Sequence, residues 1–339
     1  MDCLEIDGSH LEGGGQLLRT AVGLAAATEQ PCRVHSIRKG RRRPGLAAQH
    51  LCGVRAVASL CKGRLEGDEI GSQEITFIPD SLNPPEKVTA EVGTAGAVTL
   101  VLQALIPPLA VADSPTEVIV DGGTHVLWSP TVDYFREVFA FFLSRMGVEI
   151  EVAEVEPGFY PRGGGRVRVA VRPGPPEAVE FVSRGEFLGI RATSIATEDL
   201  RGARVAERQL EGVRELLDPE EEEARYVRSP STGTAVHLTA RYESARLGAS
   251  ALGKRGKPAE KVGREAARSL QGELESGAAL DEHMADQILP YLALAGGASR
   301  VSISRATDHC RTNMWVIRHF LPADFSVDAD GGTIACEPL

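Results

Sequence analysis

The chain has 339 residues and a formal net charge of −10, with 42% hydrophobic and 25% charged residues. This ordinary globular composition excludes a disordered chain, and no apolar run approaches the roughly 20 residues that span a bilayer. The acidic N-terminus lacks a signal-peptide pattern, and the six cysteines show no metal-ligand spacing, so we expect a cytoplasmic protein with reduced thiols. At roughly 150 residues per domain, the length suggests about two domains.

The charge is distributed unevenly along the chain. Positions 30–65 contain no acidic residue and nine basic ones, a local charge of +9 that leaves −19 for the remainder. The nine are Arg33, Arg38, Lys39, Arg41, Arg42, Arg43, Arg55, Lys62 and Arg64. Such a run is either a solvated positive face or a site for an anionic partner. The bulk charge therefore does not exclude a nucleic-acid partner.

Helical and strand patterns alternate from the N-terminus onwards, and the alternation restarts twice. Periodicity predicts a first group with helices over 13–28 and 45–61 and strands over 32–37 and 74–78. A second group has helices over 93–110 and 131–146 and strands over 116–120, 148–155 and 166–171. A third has helices over 281–295 and 310–320 and strands over 300–304 and 325–330. The sequence therefore predicts an α/β protein of three βα-type repeats.

The third repeat begins late in the chain. The first helices start near residues 13, 94 and 281, and equal repeats would leave roughly 90 to 100 residues unexplained before the third. The segment 183–275 fits this surplus and has its own strand and helix patterns, with an acidic turn over 218–223 that we expect to be a solvated loop. We predict a three-repeat domain over 1–182 and 276–339, with a smaller α/β domain inserted over 183–275.

Two predicted strand-to-helix junctions carry residues suited to chemistry. Glu12 precedes three glycines, and Gln16 and Arg19 share a face of the helix that follows. The free amides of such a helix start suit a phosphate, and Glu12 could hold a divalent cation beside it, although a plain tight turn is the alternative. The second junction lies between the strand predicted over 300–304 and the helix predicted over 310–320. A neutral His309 there could attack phosphorus, although a capping or packing histidine also fits.

Three further features stay open on the residues alone. The triple glycine over 163–165 fits a hairpin turn. Asp286 and Gln287 lie either on a plain helix face or near a positive helix end. Gln103 stands in an otherwise apolar helix, so its amide is either satisfied in the core or directed at a ligand.

Seven segments, taken in order, resemble the RNA 3′-terminal phosphate cyclase family in its catalytically active branch. They are EGGGQLLR (12–19), IRKGRRRPGLAAQH (37–50), GTAGAVTLVLQALIP (93–107), GGTHVLWSPTVDY (122–134), GFYPRGGGRV (158–167), HMADQ (283–287) and TDHCRTN (307–313). The resemblance implies three repeats of a four-stranded sheet with two helices, and a smaller α/β domain inserted before the third.

The resemblance also implies a ligase-type reaction and its residues. ATP, with Mg²⁺ or Mn²⁺, would convert an RNA 3′-phosphate to a 2′,3′-cyclic phosphate through AMP on the nucleophile His309 and an RNA-(3′)pp(5′)A intermediate. Glu12 is the expected metal contact. The expected phosphate and RNA contacts are Gln16, Arg19, Arg38, Arg41 and Gln49. The expected nucleotide contacts are Gln103, Pro130, His283, Met284, Ala285, Asp286 and Gln287, with Asp133 and Tyr134 beside the adenine.

Two other function classes stay open. A cyclase-like protein that has lost catalysis and serves in ribosome assembly lacks the nucleophilic histidine, so His309 argues against it. An enolpyruvyl-type transferase shares the repeat architecture but not the TDHCRTN and HMADQ segments.

Overall fold

One unit occurs three times in the computed structural model, which describes residues 3–339. It is a four-stranded sheet in which the first two strands are parallel and the fourth lies between the second and the third. The first copy contains β1 (Leu4–Asp7), α1 (Gly15–Thr28), β2 (Cys32–His35), α2 (Ala48–Leu60), β3 (Arg64–Glu66) and β4 (Ile75–Ile78). The parallel pair β1 and β2 requires a crossover connection, which α1 supplies.

The second copy repeats this order. It contains β5 (Lys87–Glu91), α3 (Val98–Ala110), β6 (Thr116–Gly122), α4 (Val132–Tyr134), a π-helical segment (Phe135–Phe139), α5 (Ala140–Arg145), β7 (Glu149–Glu156) and β8 (Gly165–Arg172). β5 and β6 are parallel and joined by α3, while β8 lies between β6 and β7. β9 (Glu180–Phe181) then begins the third copy.

A smaller unit with a different strand order follows β9. It contains β10 (Phe187–Thr197), a 3₁₀-helical segment (Glu198–Ala203), α6 (Val205–Arg214), β11 (Glu221–Val227), β12 (Thr234–Tyr242), β13 (Arg246–Leu252) and α7 (Ala259–Ser276). Its sheet has the order β11-β10-β12-β13, and both helices share a separate core with the strands. The close approach of α6 and α7 requires a glycine at position 263. A Cβ at Gly263 would lie only 1.9 Å from the Gln209 carbonyl oxygen.

The third copy resumes after α7. α8 (Glu282–Gln287), α9 (Leu289–Leu294), β14 (Ser299–Ser302), α10 (Asp308–Phe320), β15 (Ala323–Val327) and β16 (Thr333–Pro338) complete it. Its order, β9-β14-β16-β15, matches the first two copies, with β9 parallel to β14. The predicted α/β class with three βα-type repeats is confirmed, and we propose that 183–275 delimits the inserted unit.

α1 is enclosed where the three copies meet. Most of its residues are buried, because it packs against α2, α3 and α10. A helix that is apolar on nearly all sides requires such an enclosure. Gly23 permits close contact with α3, since a Cβ there would lie 2.9 Å from the Ala104 carbonyl oxygen. This packing holds the first turn of α1 beside helices of all three copies.

One predicted loop is instead a strand. The acidic turn expected over 218–223 runs into β11, whose first three residues are Glu221, Glu222 and Glu223. The prediction was wrong because neighbouring elements supply cations to these carboxylates. Arg241 pairs with Glu221 at 2.8 Å and Arg191 with Glu223 at 3.5 Å. Neutralised in this way, an acidic segment can pair along β10.

Candidate active site

His309 lies at the start of α10. The Thr307 hydroxyl accepts the Cys310 amide at 3.3 Å, the usual role of a hydroxyl residue before a helix. Successive residues on a helix point about 100° apart. His309 therefore stays half exposed, whereas Cys310 is buried in the core.

A chain of hydrogen bonds fixes the proton of the His309 ring. The Gln16 amide oxygen lies 2.6 Å from His309 Nδ1, and the Gln16 amide nitrogen donates to a carboxylate oxygen of Asp286. A carboxyl group retains an oxygen that can accept whether it is ionised or protonated, so the hydrogen bond from the Gln16 amide nitrogen to Asp286 turns the Gln16 oxygen toward the ring. Nδ1 must then carry the proton, which leaves the lone pair of Nε2 free.

His309 is uncharged at neutral pH. Burial lowers the pKa of its imidazole below the ordinary 6.5, and the nearby cations Arg19 and Arg41 lower it further. A neutral ring with a free Nε2 can act as a nucleophile, whereas the protonated ring cannot. Geometry and electrostatics therefore favour the same reactive form.

The Asp286 carboxyl and the Arg19 guanidinium interact electrostatically in a poorly solvated region. Burial raises the pKa of Asp286 to about 7 and lowers the pKa of Arg19 to about 10. Both line a cavity of about 30 Å³ together with Gln103, Gln287 and Asn313, which is room for a water molecule. Within residues 3–339 the Arg19 guanidinium has no hydrogen bond or ion pair. It is therefore available to an anion.

α10 also anchors the elements on either side of it. Asn313 donates to the Asp286 carbonyl oxygen at 2.8 Å and accepts the Thr20 hydroxyl at 2.7 Å. The Thr312 hydroxyl accepts the amide of Glu12 at 3.3 Å. Buried polar bonds of this kind specify one arrangement of the helices. They hold α1, α8 and the loop before α1 in position around His309.

Glu12 lies beside the histidine. One of its carboxylate oxygens forms an ion pair with Arg41. The other is buried, lies 3.9 Å from His309 Nδ1 and has no hydrogen-bond partner. A buried charged oxygen without a partner is costly unless a cation or a donor reaches it. This atom fits a divalent cation whose other ligands are phosphate oxygens and water.

Glu12 would be the main protein ligand of such a cation. In the part of the chain that the structure describes, no group of three or more His, Cys, Asp or Glu residues could hold a metal ion. Mg²⁺ in phosphate-transfer sites is commonly held by one or two carboxylates plus substrate phosphates. The donor set therefore fits a cation that arrives with a phosphate.

The start of α1 carries no side-chain cap. Gly14 precedes the helix and gives it no side-chain cap, so its first amides lack the usual partner. Gly15 lets His50 approach, since a Cβ there would lie 2.2 Å from His50 Nε2. Burial, with Arg19 and Arg38 nearby, lowers the pKa of His50 to about 3. The ring is therefore neutral.

His50 is a site residue that sequence reasoning missed. Its Nδ1 accepts the Ala47 amide at 3.1 Å, so Nε2 carries the proton and faces the start of α1. The signal was present, because Gly15 and His50 both belong to motifs quoted above. Their contact across two helices was not visible in the chain.

The predicted contacts Arg38 and Gln49 lie on the His50 side of this cluster. Arg38 has a left-handed backbone, with φ of 53°, and donates to the Gly45 carbonyl oxygen at 2.6 Å. Gln49 accepts the Ala97 amide at 3.0 Å through its side-chain oxygen. The polar groups used in these bonds position the loop before α2 and the first turn of α2.

The predicted nucleotide contacts fall into two groups. Gln103 donates to Gln287 at 2.8 Å, and Gln287 donates to the His283 carbonyl oxygen at 2.9 Å. The His283 side chain is exposed. Met284 and Ala285 are buried in the core, so only their main chain could reach a ligand.

Asp133 and Tyr134 are not at a ligand surface. Asp133 is buried and lies 2.8 Å from His125, and the buried Tyr134 hydroxyl donates to Asp281 at 2.6 Å. The expectation that they border the adenine was wrong, because both side chains are committed to buried networks. Pro130 stays partly exposed, and its carbonyl oxygen accepts the Thr99 hydroxyl at 2.8 Å.

All three copies supply the central cluster. Helices of the three copies contribute Gln16 and Arg19 from α1, Gln103 from α3, Asp286 and Gln287 from α8, and His309 from α10. Glu12 and Arg41 join it through loops. Pro130 contacts α3 through Thr99, while Gln49 lies in the first turn of α2 and Arg38 in the loop before it.

Comparison with known proteins relates the whole chain to one family. Among solved structures, the enolpyruvyl transferase NikO from Streptomyces tendae aligns with a TM-score of 0.43 and 10% identity over 99% of this chain and 48% of its own. RNA 3′-terminal phosphate cyclases from Methanopyrus kandleri and Thermococcus kodakarensis are 45% and 42% identical, each covering 98% of this chain and 97% and 96% of their own lengths. The family description RNA 3′-terminal phosphate cyclase matches residues 10–327. The chain therefore belongs to the RNA 3′-terminal phosphate cyclase family, as its motifs predicted.

Proposed function

We propose that this protein uses ATP to convert the 3′-phosphate of an RNA to a 2′,3′-cyclic phosphate. The relatives' names support the reaction class. One observation carries the mechanism, namely the chain of hydrogen bonds from Asp286 through Gln16 to His309. It presents a neutral imidazole whose Nε2 is free to form a covalent bond to phosphorus.

His309 Nε2 attacks the α-phosphorus of ATP in the first step. An N–P bond forms while the bond from the α-phosphorus to the oxygen bridging the β-phosphate breaks, so pyrophosphate leaves and AMP stays on the ring. The ring becomes cationic, and the Gln16 oxygen stabilises it through Nδ1–H. Arg19, Arg41 and the amides of α1 would stabilise negative charge on the phosphoryl oxygens.

The next two steps transfer AMP from the histidine to the RNA 3′-phosphate and then release it. An oxygen of the RNA 3′-phosphate attacks the phosphorus of the bound AMP, the N–P bond breaks, and RNA-(3′)pp(5′)A forms. The 2′-hydroxyl attacks the 3′-phosphorus, loses its proton, and expels AMP as the cyclic phosphate closes. Activation is needed because an oxygen of a phosphate monoester is a poor leaving group, whereas AMP is a good one.

The other site residues take roles that follow from their positions. Arg38 and Gln49, beside the α1 start, would bind phosphates of the RNA end. Gln103, Gln287, His283 and Pro130 would border the nucleotide of ATP, with Met284 and Ala285 contributing main chain. Asp286 acts through Gln16 and is a positioning residue.

Glu12 would hold Mg²⁺ or Mn²⁺ through its unpartnered carboxylate oxygen. A divalent cation supplies charge neutralisation on phosphate oxygens. Before a cation binds, Arg41 compensates the charge of Glu12. Because Arg41 pairs with the other carboxylate oxygen of Glu12, it would stay beside the cation and could bind the same phosphate.

Labelled ATP tests the proposal. Incubation with α-labelled ATP and Mg²⁺ or Mn²⁺ should leave acid-labile AMP on the parent protein and none on His309→Ala. His319→Ala is the matched control, because His319 lies on the same helix and contacts Trp315, through a hydrogen bond from Nδ1 to the carbonyl oxygen at 2.9 Å and an edge-on ring contact. Parent protein that takes up no label with either metal across a pH range contradicts the mechanism.

The same assay, together with a measurement of RNA-end binding, separates the alternatives. A cyclase-like protein without catalysis would bind RNA ends but take up no label, and an enolpyruvyl-type transferase would do neither. We also propose a cytoplasmic location, which the six free cysteines support because reduced thiols are typical of that compartment. Among residues 3–339, no helix is both long and apolar enough to span a bilayer.

A further inference from the structure

We infer that the inserted unit binds a nucleotide of the RNA upstream of its 3′ end, in a cavity between α6, α7 and the loop that joins β13 to α7. The inference rests on the proposed function, because it assigns a second contact to the same RNA. No residue of this cavity belongs to the cluster around His309.

The cavity has the size and the mixed lining that a nucleotide needs. Its volume is about 520 Å³, within the range of small-ligand sites. Leu200, Val205 and Val262 give it an aliphatic wall, and the loop 253–258, with the sequence GKRGKP, forms a basic rim. A nucleotide combines a flat, weakly polar base with an anionic phosphate, so both parts of the lining have a counterpart.

A buried amide without a full set of hydrogen-bond partners lies in the wall of this cavity. Gln209 is 0% exposed, and one end of its side-chain amide lies 2.7 Å from the hydroxyls of both Ser194 and Thr234. The other end of the amide is equally buried and has no hydrogen-bond partner. Buried polar groups are nearly always hydrogen-bonded, and exceptions call for an explanation. A hydrogen-bonding group on the edge of a base would supply the missing partner of the Gln209 amide.

The rim carries positive charge that the protein does not neutralise. Lys254 and Arg255 are exposed and form no ion pair within residues 3–339. Two other cations that line the cavity are neutralised, since Lys257 on the same loop pairs with Glu265 and Arg208 binds Glu260 at 2.7 Å. The loop leads into α7, an 18-residue helix that begins without a side-chain cap. Free cations beside uncapped helix amides attract a phosphate.

A chain of contacts leads from the α1 start to the second copy. Gln49, which follows the basic loop, holds the Ala97 amide at 3.0 Å. Two residues earlier, Ala95 packs against the triple glycine, since a Cβ at Gly163 would lie 2.9 Å from the Ala95 Cα. The glycine turn therefore sits next to the segment that Gln49 holds.

The turn that contains the triple glycine over 163–165 also contacts the cavity wall. The Arg162 amide donates to the Ser231 hydroxyl at 3.1 Å, and Ser231 precedes Thr232, Gly233 and Thr234, which line the cavity. Tyr160, on the same turn, is 76% exposed. Exposed aromatic rings are stacking platforms for single-stranded RNA. An RNA whose 3′ end lies at His309 has a continuous surface to follow toward the inserted unit.

Length-dependent cyclization tests the inference. The KM should be measured for a series of 3′-phosphorylated RNAs from about two to about twelve nucleotides. With the parent protein, KM should fall about tenfold or more at the length that first reaches the cavity. The double variant Lys254→Ala/Arg255→Ala should abolish this fall and keep the parent KM for the shortest RNA. Both side chains are exposed, so the variant should fold.

A matched variant and a chemical probe complete the experiment. Arg268→Ala/Arg300→Ala removes two exposed cations outside the cavity and should keep the fall in KM. RNA carrying 4-thiouridine at successive positions should cross-link to the 253–258 loop only at positions upstream of the 3′ end.

Each outcome has a distinct meaning. If the parent protein cyclizes all lengths with equal KM, the inference is overturned while the proposed function stands. If it cyclizes none, the proposed function itself fails. A free mononucleotide that occupies the cavity, lost in the Lys254→Ala/Arg255→Ala variant, together with an absent length effect, would identify a nucleotide site unrelated to the RNA and also overturn the inference.

Discussion

Asp286→Asn should stabilise the protein at neutral pH and leave its stability unchanged in acid. Burial raises the pKa of the Asp286 carboxyl to about 7 from the ordinary 3.8. Asparagine has the same shape and no charge to bury, and its side-chain oxygen can still accept from the Gln16 amide. The substitution therefore removes the cost of ionising a poorly solvated acid while preserving the hydrogen bond that orients Gln16.

The sign and size follow from proton linkage. Below about pH 4 the folded and unfolded states both keep the Asp286 proton, so the residue costs nothing. Between about pH 4 and 7 the unfolded state loses the proton and the folded state keeps it, so stability falls as pH rises. A shift of about 3 pKa units corresponds to about 4 kcal/mol above pH 7. Arg19 loses a nearby anion in the variant, which makes this value an upper bound.

Urea unfolding of the parent and of Asp286→Asn at pH 4 and pH 8 measures the effect. The gain in free energy of unfolding should be near zero at pH 4 and should approach about 4 kcal/mol at pH 8. Asp308→Asn is the control, because that exposed carboxylate lies in the same region. An equal gain at both pH values would refute the reasoning, since it could not come from the ionisation of Asp286.

Three further outcomes are expected. Gln16→Leu should slow single-turnover AMP transfer to His309 about tenfold to a hundredfold with ATP affinity kept, because the ring loses the acceptor that sets its orientation; an unchanged rate excludes that role. The same rate in the parent should be constant from pH 7 to 9 and fall in acid below pH 6.5, since burial lowers the pKa of His309; a rate still rising above pH 7 argues against this. Gly15→Ala should lower Tm, because its Cβ would lie 2.2 Å from His50, and His50→Ala should restore part of the loss; no recovery would point to another clash.

The repeated unit could be predicted because its helices and buried strands show local periodicity. The first strands of the copies could not. β1 and β5, with the sequences LEID and KVTAE, are short edge strands in which polar or charged residues alternate with apolar ones. The structure also places a helix start later than predicted, because the helix predicted over 93–110 begins only at Val98. Gly93, with φ of 71°, keeps the preceding loop out of helical geometry.

The candidate residues of the site could be named from motifs, but their arrangement could not. Gln16 and His309 are 293 positions apart and meet at 2.6 Å, a contact that depends on how α1 and α10 pack. The same limit applied to Tyr134, which the motif places near Pro130 but the fold buries against Asp281. Sequence patterns identify a residue's element and face, whereas the site depends on packing between copies.

The positive charge of the site is more concentrated than the sequence suggests. Of the nine basic residues over 30–65, four form ion pairs with carboxylates, and three of those pairs lie away from His309: Arg33 with Glu74, Arg55 with Asp68 and Arg64 with Glu66. The unpaired cations of the run within residues 3–339 are Arg38, Lys39, Arg42, Arg43 and Lys62, and four of these five belong to the loop that also carries Arg41, the partner of Glu12. A single unneutralised loop beside an open helix start suits one terminal phosphate. A protein with a net charge of −10 can therefore hold an RNA end without attracting the length of the RNA to its whole surface.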